Sequence, residues 1–244
     1  MELRRARLVL AAGLGLAILL SGARAVFAHG VWIAQRAGEW TLVVGEGSAD
    51  DAYEPSAATI LEARDERGKA VTVGLRRQQR NAVLDRSEAS AAVAASYEDG
   101  YWSQGADGSW VAGRKSNVPG AVRTGYYMMY TTTLLAPSRS PHRPYGYPLE
   151  LVPLEHPMRL KKDQLLKVQV LFEGTPLKGA RVVADYLGDP HAPPSLADDN
   201  GVAEVPLQAN GLNVLQVSHT RPRKDPTEAD EDGWSATLAF TLSD

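Results

Sequence analysis

The chain of 244 residues contains no cysteine. Disulfides, thiolate metal sites, thiol nucleophiles, haem held through Cys and a Cys-linked lipid anchor are therefore excluded. Methionine is almost as scarce, at four including the initiator, which disfavours soft metals. Neither sign of charge dominates: 26 basic and 29 acidic side chains give a net of -3. A general nucleic-acid binder normally carries a basic excess, so that class is disfavoured. There is no Gly-x-Ser-x-Gly, no P-loop and no dinucleotide fingerprint. Nothing nominates a catalytic pair, and an enzyme is not expected. Past residue 28 no apolar run approaches the roughly 20 residues a spanning helix needs, so no membrane span is expected in the mature chain.

Hydrophobic residues make up 44% and charged residues 23%, which fits an ordinary folded protein. The 22 Gly and 15 Pro suit a turn-rich β protein better than a helical one. Residues 1–28 read as a secretory signal: Arg4, Arg5 and Arg7 form a basic start, and residues 8–20 form an apolar run too short to span. Small residues then lead to a cleavage point after Ala28. The expected location is the periplasm or beyond. Cleavage removes four Arg and Glu2, leaving 22 basic and 28 acidic groups, a net of -6. A mildly acidic surface fits a cation partner better than an anion.

Cleavage after Ala28 makes His29 the first residue. An N-terminal His offers an α-amine and an imidazole together, two nitrogens suited to a borderline divalent metal such as Ni(II), Co(II) or Cu(II). With a third nitrogen the arrangement becomes a histidine brace. The plainer alternative is a cleavage point that happens to fall before a His.

The mature chain alternates with period two over short runs. Residues 31–33, 40–44 and 57–63 read as strands, and 65–69 as a turn into 70–73. Residues 91–95 fit a strand or a helical turn, since Ala favours helix. Residues 98–124, rich in Gly, Ser and Asp, read as a long loop or loose hairpin carrying Tyr101, Trp102 and Trp110. Residues 125–135 are strongly β-prone. Residues 137–145, with Pro137, Pro141 and Pro144, read as an extended linker. Beyond it, about seven short strands with turns between them predict an antiparallel immunoglobulin-like sandwich over 146–244. The expected organisation is all-β: a signal (1–28), an N-terminal β domain (29–136), the linker, and the sandwich.

The runs GYPLELVPLEHP (146–157), VQVLFEGTPLKGARV (168–182), DDNGVAEVPL (198–207), NGLNVLQVSH (210–219) and WSATLAFTL (234–242) resemble a family of secreted bacterial proteins. That family is built on a domain of unknown function and is associated with cobalt and nickel transport across the periplasm. Its members also begin, after the signal, with Ala-His and a nearby aromatic, here Ala28-His29 and Trp32, and GYWSQGADGSW (100–110) is similar to its middle segment. One departure stands out. The family tends to have a lysine-containing strand where this chain has MMYTTTLL (128–135), so no role for that Lys carries over.

The resemblance implies a periplasmic metal-binding accessory protein that serves inner-membrane transporter components. The metal would be divalent, nickel or cobalt first and copper as an alternative. The candidate ligands are His29 and His219, the latter ending a strand at a sandwich rim, with His191 weaker in a Pro-rich loop beside Asp189. His142 and His156 read as loop residues. The acidic run Glu228, Asp230, Glu231 and Asp232 reads as a solvated loop with its own counterions, and residues 198–201 as a hairpin turn. A non-metal reading makes the protein an envelope interaction module, with Tyr101, Trp102 and Trp110 contacting protein or glycan. A third reading is a copper protein using the brace.

Overall fold

The structure, a computed structural model, describes residues 29–243. The expected signal, residues 1–28, lies outside them. In chain order the strands of the N-terminal half are β1 (Gly30–Arg36), β2 (Glu39–Gly45), β3 (Ala58–Asp65), β4 (Ala70–Val71), β5 (Val73–Arg77), β6 (Ala82–Arg86), β7 (Ser90–Gln104), β8 (Trp110–Ala112) and β9 (Arg123–Leu134). The C-terminal half adds β10 (Leu149–Pro153), β11 (Leu165–Phe172), β12 (Thr175–Pro176), β13 (Arg181–Val183), β14 (Ser195–Leu196), β15 (Val202–Pro206), β16 (Gly211–Pro222) and β17 (Glu231–Leu242). The protein is all-β, as the alternation of apolar and polar residues predicts.

These strands form three sheets. An outer sheet runs β1-β2-β6-β5, and a second outer sheet joins β10, β11, β12 and β15. Between them lies a nine-stranded sheet, ordered β14-β13-β16-β17-β9-β7-β3-β4 with β8 on β7. It crosses both halves of the chain, because β17 pairs in parallel with β9 from Glu231↔Gly125 to Ala239↔Thr133. Each face of this sheet is covered by one outer sheet. Leu134, Leu215, Trp234 and Leu238 pack with Leu151, Val168 and Val205 on one side. Val93, Ala95 and Met129 pack with Val31, Ile33 and Leu42 on the other.

Burial on both faces explains the residues that sequence periodicity handled poorly. Ala91 to Ala95 and Thr131 to Thr133 are all buried. A strand covered on both sides reads as a continuous run of small or apolar residues, not as an alternation. The Ala run is therefore strand, not a helical turn. Of the two readings of 98–124, the hairpin holds and the loop does not: β7 continues to Gln104 opposite β9, and β8 folds back on it through Trp102↔Ala112 and Gln104↔Trp110. β-prone aromatics override the Gly and Ser content there.

The extended segment 137–145 is bound closely to the N-terminal half. Arg139 N–H donates to the Glu66 carbonyl (2.7 Å), Ser138 Oγ donates to the same carbonyl (3.0 Å), and the Arg64 guanidinium donates to the Arg143 carbonyl (2.8 Å). His156 Nε2 accepts from Ser138 N–H (2.7 Å). The segment is a strap across the β3–β4 turn.

Candidate metal corner at the start of the first strand

β1 carries the chain into the structure immediately after His29. Val31, Trp32 and Ile33 have no exposed surface, and burying side chains of this size stabilises by about 1.5–3 kcal/mol each. The Trp32 ring meets Tyr186 edge-on at 6.0 Å. Three buried threonines of the central sheet fix the strand crossing above them. The Thr237 hydroxyl donates to the Val31 carbonyl, Thr131 joins Thr237 at 2.9 Å, and Thr133 Oγ1 accepts from Ile33 N–H (3.2 Å). Thr131 and Thr133 of β9 and Thr237 of β17 thus hold β1 in place.

Held in this way, His29 lies at the edge of the corner between the first outer sheet and the central sheet. Its Nε2 is 3.4 Å from Asp51 Oδ2, both side chains being nearly half exposed. Asp51 is delivered by the loop that follows β2, closed by Asp51 N–H to the Val44 carbonyl (2.8 Å) and Ala49 N–H to the Glu46 carbonyl (3.2 Å). Tyr186 Oη donates to the Gly45 carbonyl (2.9 Å).

Asp99 is the second carboxylate of this corner. It sits where the β7–β9 register slips between Glu98 and Gly100, a β-bulge that re-aims a side chain. Gly100 takes φ +80 there, a backbone conformation that favours glycine. The Trp102 indole donates to the Asp99 carbonyl (3.1 Å) and so braces the bulge. Burial pushes the Asp99 carboxyl up to about 6, against the opposing pulls of the His29 charge and the Trp102 indole. Sequence reasoning missed Asp51 and Asp99. For Asp99 the Glu-Asp-Gly run at 98–100 was the available signal, since a glycine after an acidic residue inside a strand pattern marks a bulge; Asp51 had none.

The other predicted ligands fall elsewhere. His219 is not brought to His29: it lies on the opposite face of the central sheet. Its ring packs against Phe172 at 4.4 Å and stacks with Trp234 at 6.3 Å, and Arg221 lies 5.3 Å from the Trp234 ring. Burial first, then Arg221, pushes the His219 pKa down. β16 runs on to Pro222, so His219 does not end its strand, and a His in an aromatic stack beside a cation is part of the packing. His191 does come to the same end as His29, because its Nε2 lies 3.5 Å from Glu46 Oε1. Glu46 and Asp51 belong to one loop, so that loop contacts both histidines. Among the described residues no group of three or more His, Asp or Glu is arranged to hold a metal.

The three aromatics do not form one platform. Tyr101 and Trp102 point to opposite faces of β7. Tyr101 Oη donates to Glu228 (2.7 Å) and its ring packs on Tyr126 at 4.8 Å. Trp110 meets Tyr127 edge-on at 6.3 Å and keeps 38% of its surface. The acidic run is neutralised residue by residue: Arg114 on Glu228, Lys115 on Asp230, Arg123 on Glu231 (2.6 Å) and Arg223 on Asp232 (3.3 Å). Asp198 Oδ1 accepts from Asn200 and Val202 N–H (2.8 and 2.9 Å), which makes 198–202 a hairpin turn.

Fold and site together define an all-β protein of stacked sheets whose first described residue is a histidine beside carboxylates. Residues 26–221 match the family described as a domain of unknown function, DUF4198, and the chain belongs to that family. Comparison with the curated proteins and with the solved structures gave no match. Among the described residues no helix is long and apolar enough to cross a membrane.

Proposed function

We propose that the protein is a periplasmic metal-binding accessory protein in nickel or cobalt uptake, which hands its ion to inner-membrane transporter components. The observation that carries the reading is the contact of His29 Nε2 with Asp51 at 3.4 Å. A metal-binding His commonly donates its second ring N–H to a carboxylate, which fixes the tautomer and the ring. A proton on Nε2, the nitrogen beside Asp51, leaves the His29 lone pair on Nδ1, which closes a six-membered chelate with the α-amine. Asp51 is then a positioning residue. Asp99 supplies a buried oxygen donor, and a carboxyl raised to about 6 by burial is one that a cation relieves. The set is two nitrogens and an oxygen without sulfur, which suits borderline divalent ions.

Copper binds any amine–imidazole site more tightly than nickel or cobalt. Affinity order alone therefore does not separate uptake from a copper brace, and stability of the Cu(II) state against reductant does. The experiment is calorimetric titration of the secreted protein with Ni(II), Co(II) and Cu(II), after intact mass confirms His29 as the first residue. One equivalent should bind, and His29→Ala should weaken Ni(II) binding by at least about 100-fold, near 2.7 kcal/mol. Unchanged binding in that variant would reject the reading. The second reading, an envelope interaction module, is favoured by the exposed Trp110 and Val111 (38% and 49%) on the β7–β8 hairpin. It predicts that neither His29 nor metal affects partner binding.

A further inference from the structure

A second chemical feature lies far from His29 in sequence and site. The β3–β4 turn and the 137–145 strap enclose a cavity of about 80 Å³, bordered by Arg64, Asp65, Arg67, Ser138, His142 and Arg143 among others. A water needs about 10–15 Å³ of such space, so the cavity holds roughly five to eight heavy atoms, enough for one tetrahedral oxyanion.

The charges around it are unbalanced. The nearby carboxylates are already used. Glu62 accepts from Arg64 (2.6 Å), and Glu66 meets Arg139 (3.4 Å). Asp65 Oδ1 accepts the backbone N–H groups of Arg67 and Lys69 (2.9 Å each). Arg64 is further committed to the Arg143 and Pro144 carbonyls and lies 3.8 Å over the Tyr145 ring. The guanidiniums of Arg67 and Arg143 have neither hydrogen bond nor ion pair among the described residues, though the folded chain is acidic overall. His142 adds a buried ring nitrogen, Nε2, with no hydrogen-bond partner, a condition that folded proteins rarely leave in place. Its ring packs against His156 at 5.1 Å, and burial, then His156, then Arg64 push its pKa down to about 4. The imidazole is therefore neutral at physiological pH, with one N–H to donate.

We infer that this cavity is a binding site for a phosphate-class oxyanion, held by the Arg67 and Arg143 guanidiniums against the His142 wall. Guanidinium is the side chain best matched to such an anion, because its planar fork gives paired, charge-assisted hydrogen bonds. Two sources share that chemistry: free phosphate, and the phosphate of an anionic lipid headgroup. Neither involves the proposed metal, so this inference does not depend on that reading.

The test uses the secreted protein and follows the His142 ring signals by NMR during titration with inorganic phosphate. A parallel arm measures co-sedimentation with phosphatidylglycerol vesicles against phosphatidylcholine vesicles. The comparison variant is Arg67→Ala/Arg143→Ala, which removes two exposed side chains that support nothing else; circular dichroism checks its fold. The expected result is a saturable shift at His142 with Kd below about 1 mM, weakened about tenfold or more in the variant. Binding to the anionic vesicles that the variant loses identifies the headgroup as the source; a response to free phosphate alone identifies a soluble anion. A non-saturable titration with no vesicle binding, or a folded variant that binds like the wild type, overturns the inference.

Discussion

At the scale of single residues, Asp99 sets metal binding against stability. Its folded carboxyl titrates near 6, raised chiefly by burial, whereas an unfolded Asp titrates near 3.9. The folded chain therefore holds this proton more tightly than the unfolded chain does. The stability that follows is complete below about pH 3.9 and is lost as pH rises through 6. At pH 7.5 without metal, Asp99→Asn is expected to raise stability by roughly 1–3 kcal/mol, and the gain should vanish near pH 4. The same variant should bind Ni(II) more weakly. Urea unfolding at the two pH values, beside a metal titration, checks both signs; a variant less stable at pH 7.5 would contradict the burial account. His29 is the residue that local patterns single out, because leader and cleavage signals are read from neighbouring residues alone. Asp51 and Asp99 were not, because each becomes a partner of His29 only through folding, one by a tight loop and one by a bulge.

At the scale of elements, the loop after β2 is the part most sensitive to a small change. A Cβ on Gly45 would lie 2.0 Å from the Ala49 carbonyl oxygen, so the loop must move to accept it. Gly45→Ala is expected to separate Asp51 from His29 and weaken Ni(II) binding about tenfold, while circular dichroism stays that of the wild type. An unchanged Ni(II) affinity would show that Asp51 does not position the ring. Most strands with one solvated face were legible, β11 with its alternating burial among them. The strands of the central sheet were harder, since β7 and β9 are covered on both sides and carry Ala and Thr where period two is sought. Tyr101, Trp102 and Trp110 read as one contact surface in the sequence, but alternation along β7 puts Tyr101 and Trp102 on opposite faces and Trp110 lies on β8.

At the scale of the whole molecule, the central sheet ties the halves together. β17 pairs with β9 across about a hundred residues of sequence, and the strap at 137–145 hydrogen-bonds to the β3–β4 turn. No local pattern announces such a pairing, which is why proline content suggests a linker between an N-terminal β domain and a sandwich. Shared sheet hydrogen bonds couple the stability of both halves. Urea unfolding followed by far-UV circular dichroism and by tryptophan fluorescence should give one coincident transition. Two separated transitions would show that the halves unfold independently.

The central claim is that the α-amine of His29 binds the metal, and it is tested by moving that amine. Two proteins are prepared, one beginning at His29 and one keeping a single alanine before it, and each is titrated with Ni(II) by calorimetry. The extension leaves the imidazole, Asp51 and Asp99 in place but turns the amine into an amide nitrogen. The account predicts one tight equivalent for the first protein and an affinity at least about 100-fold weaker for the second. Equal affinity in both, or no binding tighter than about 100 μM (near -5.5 kcal/mol) in the first, would contradict it.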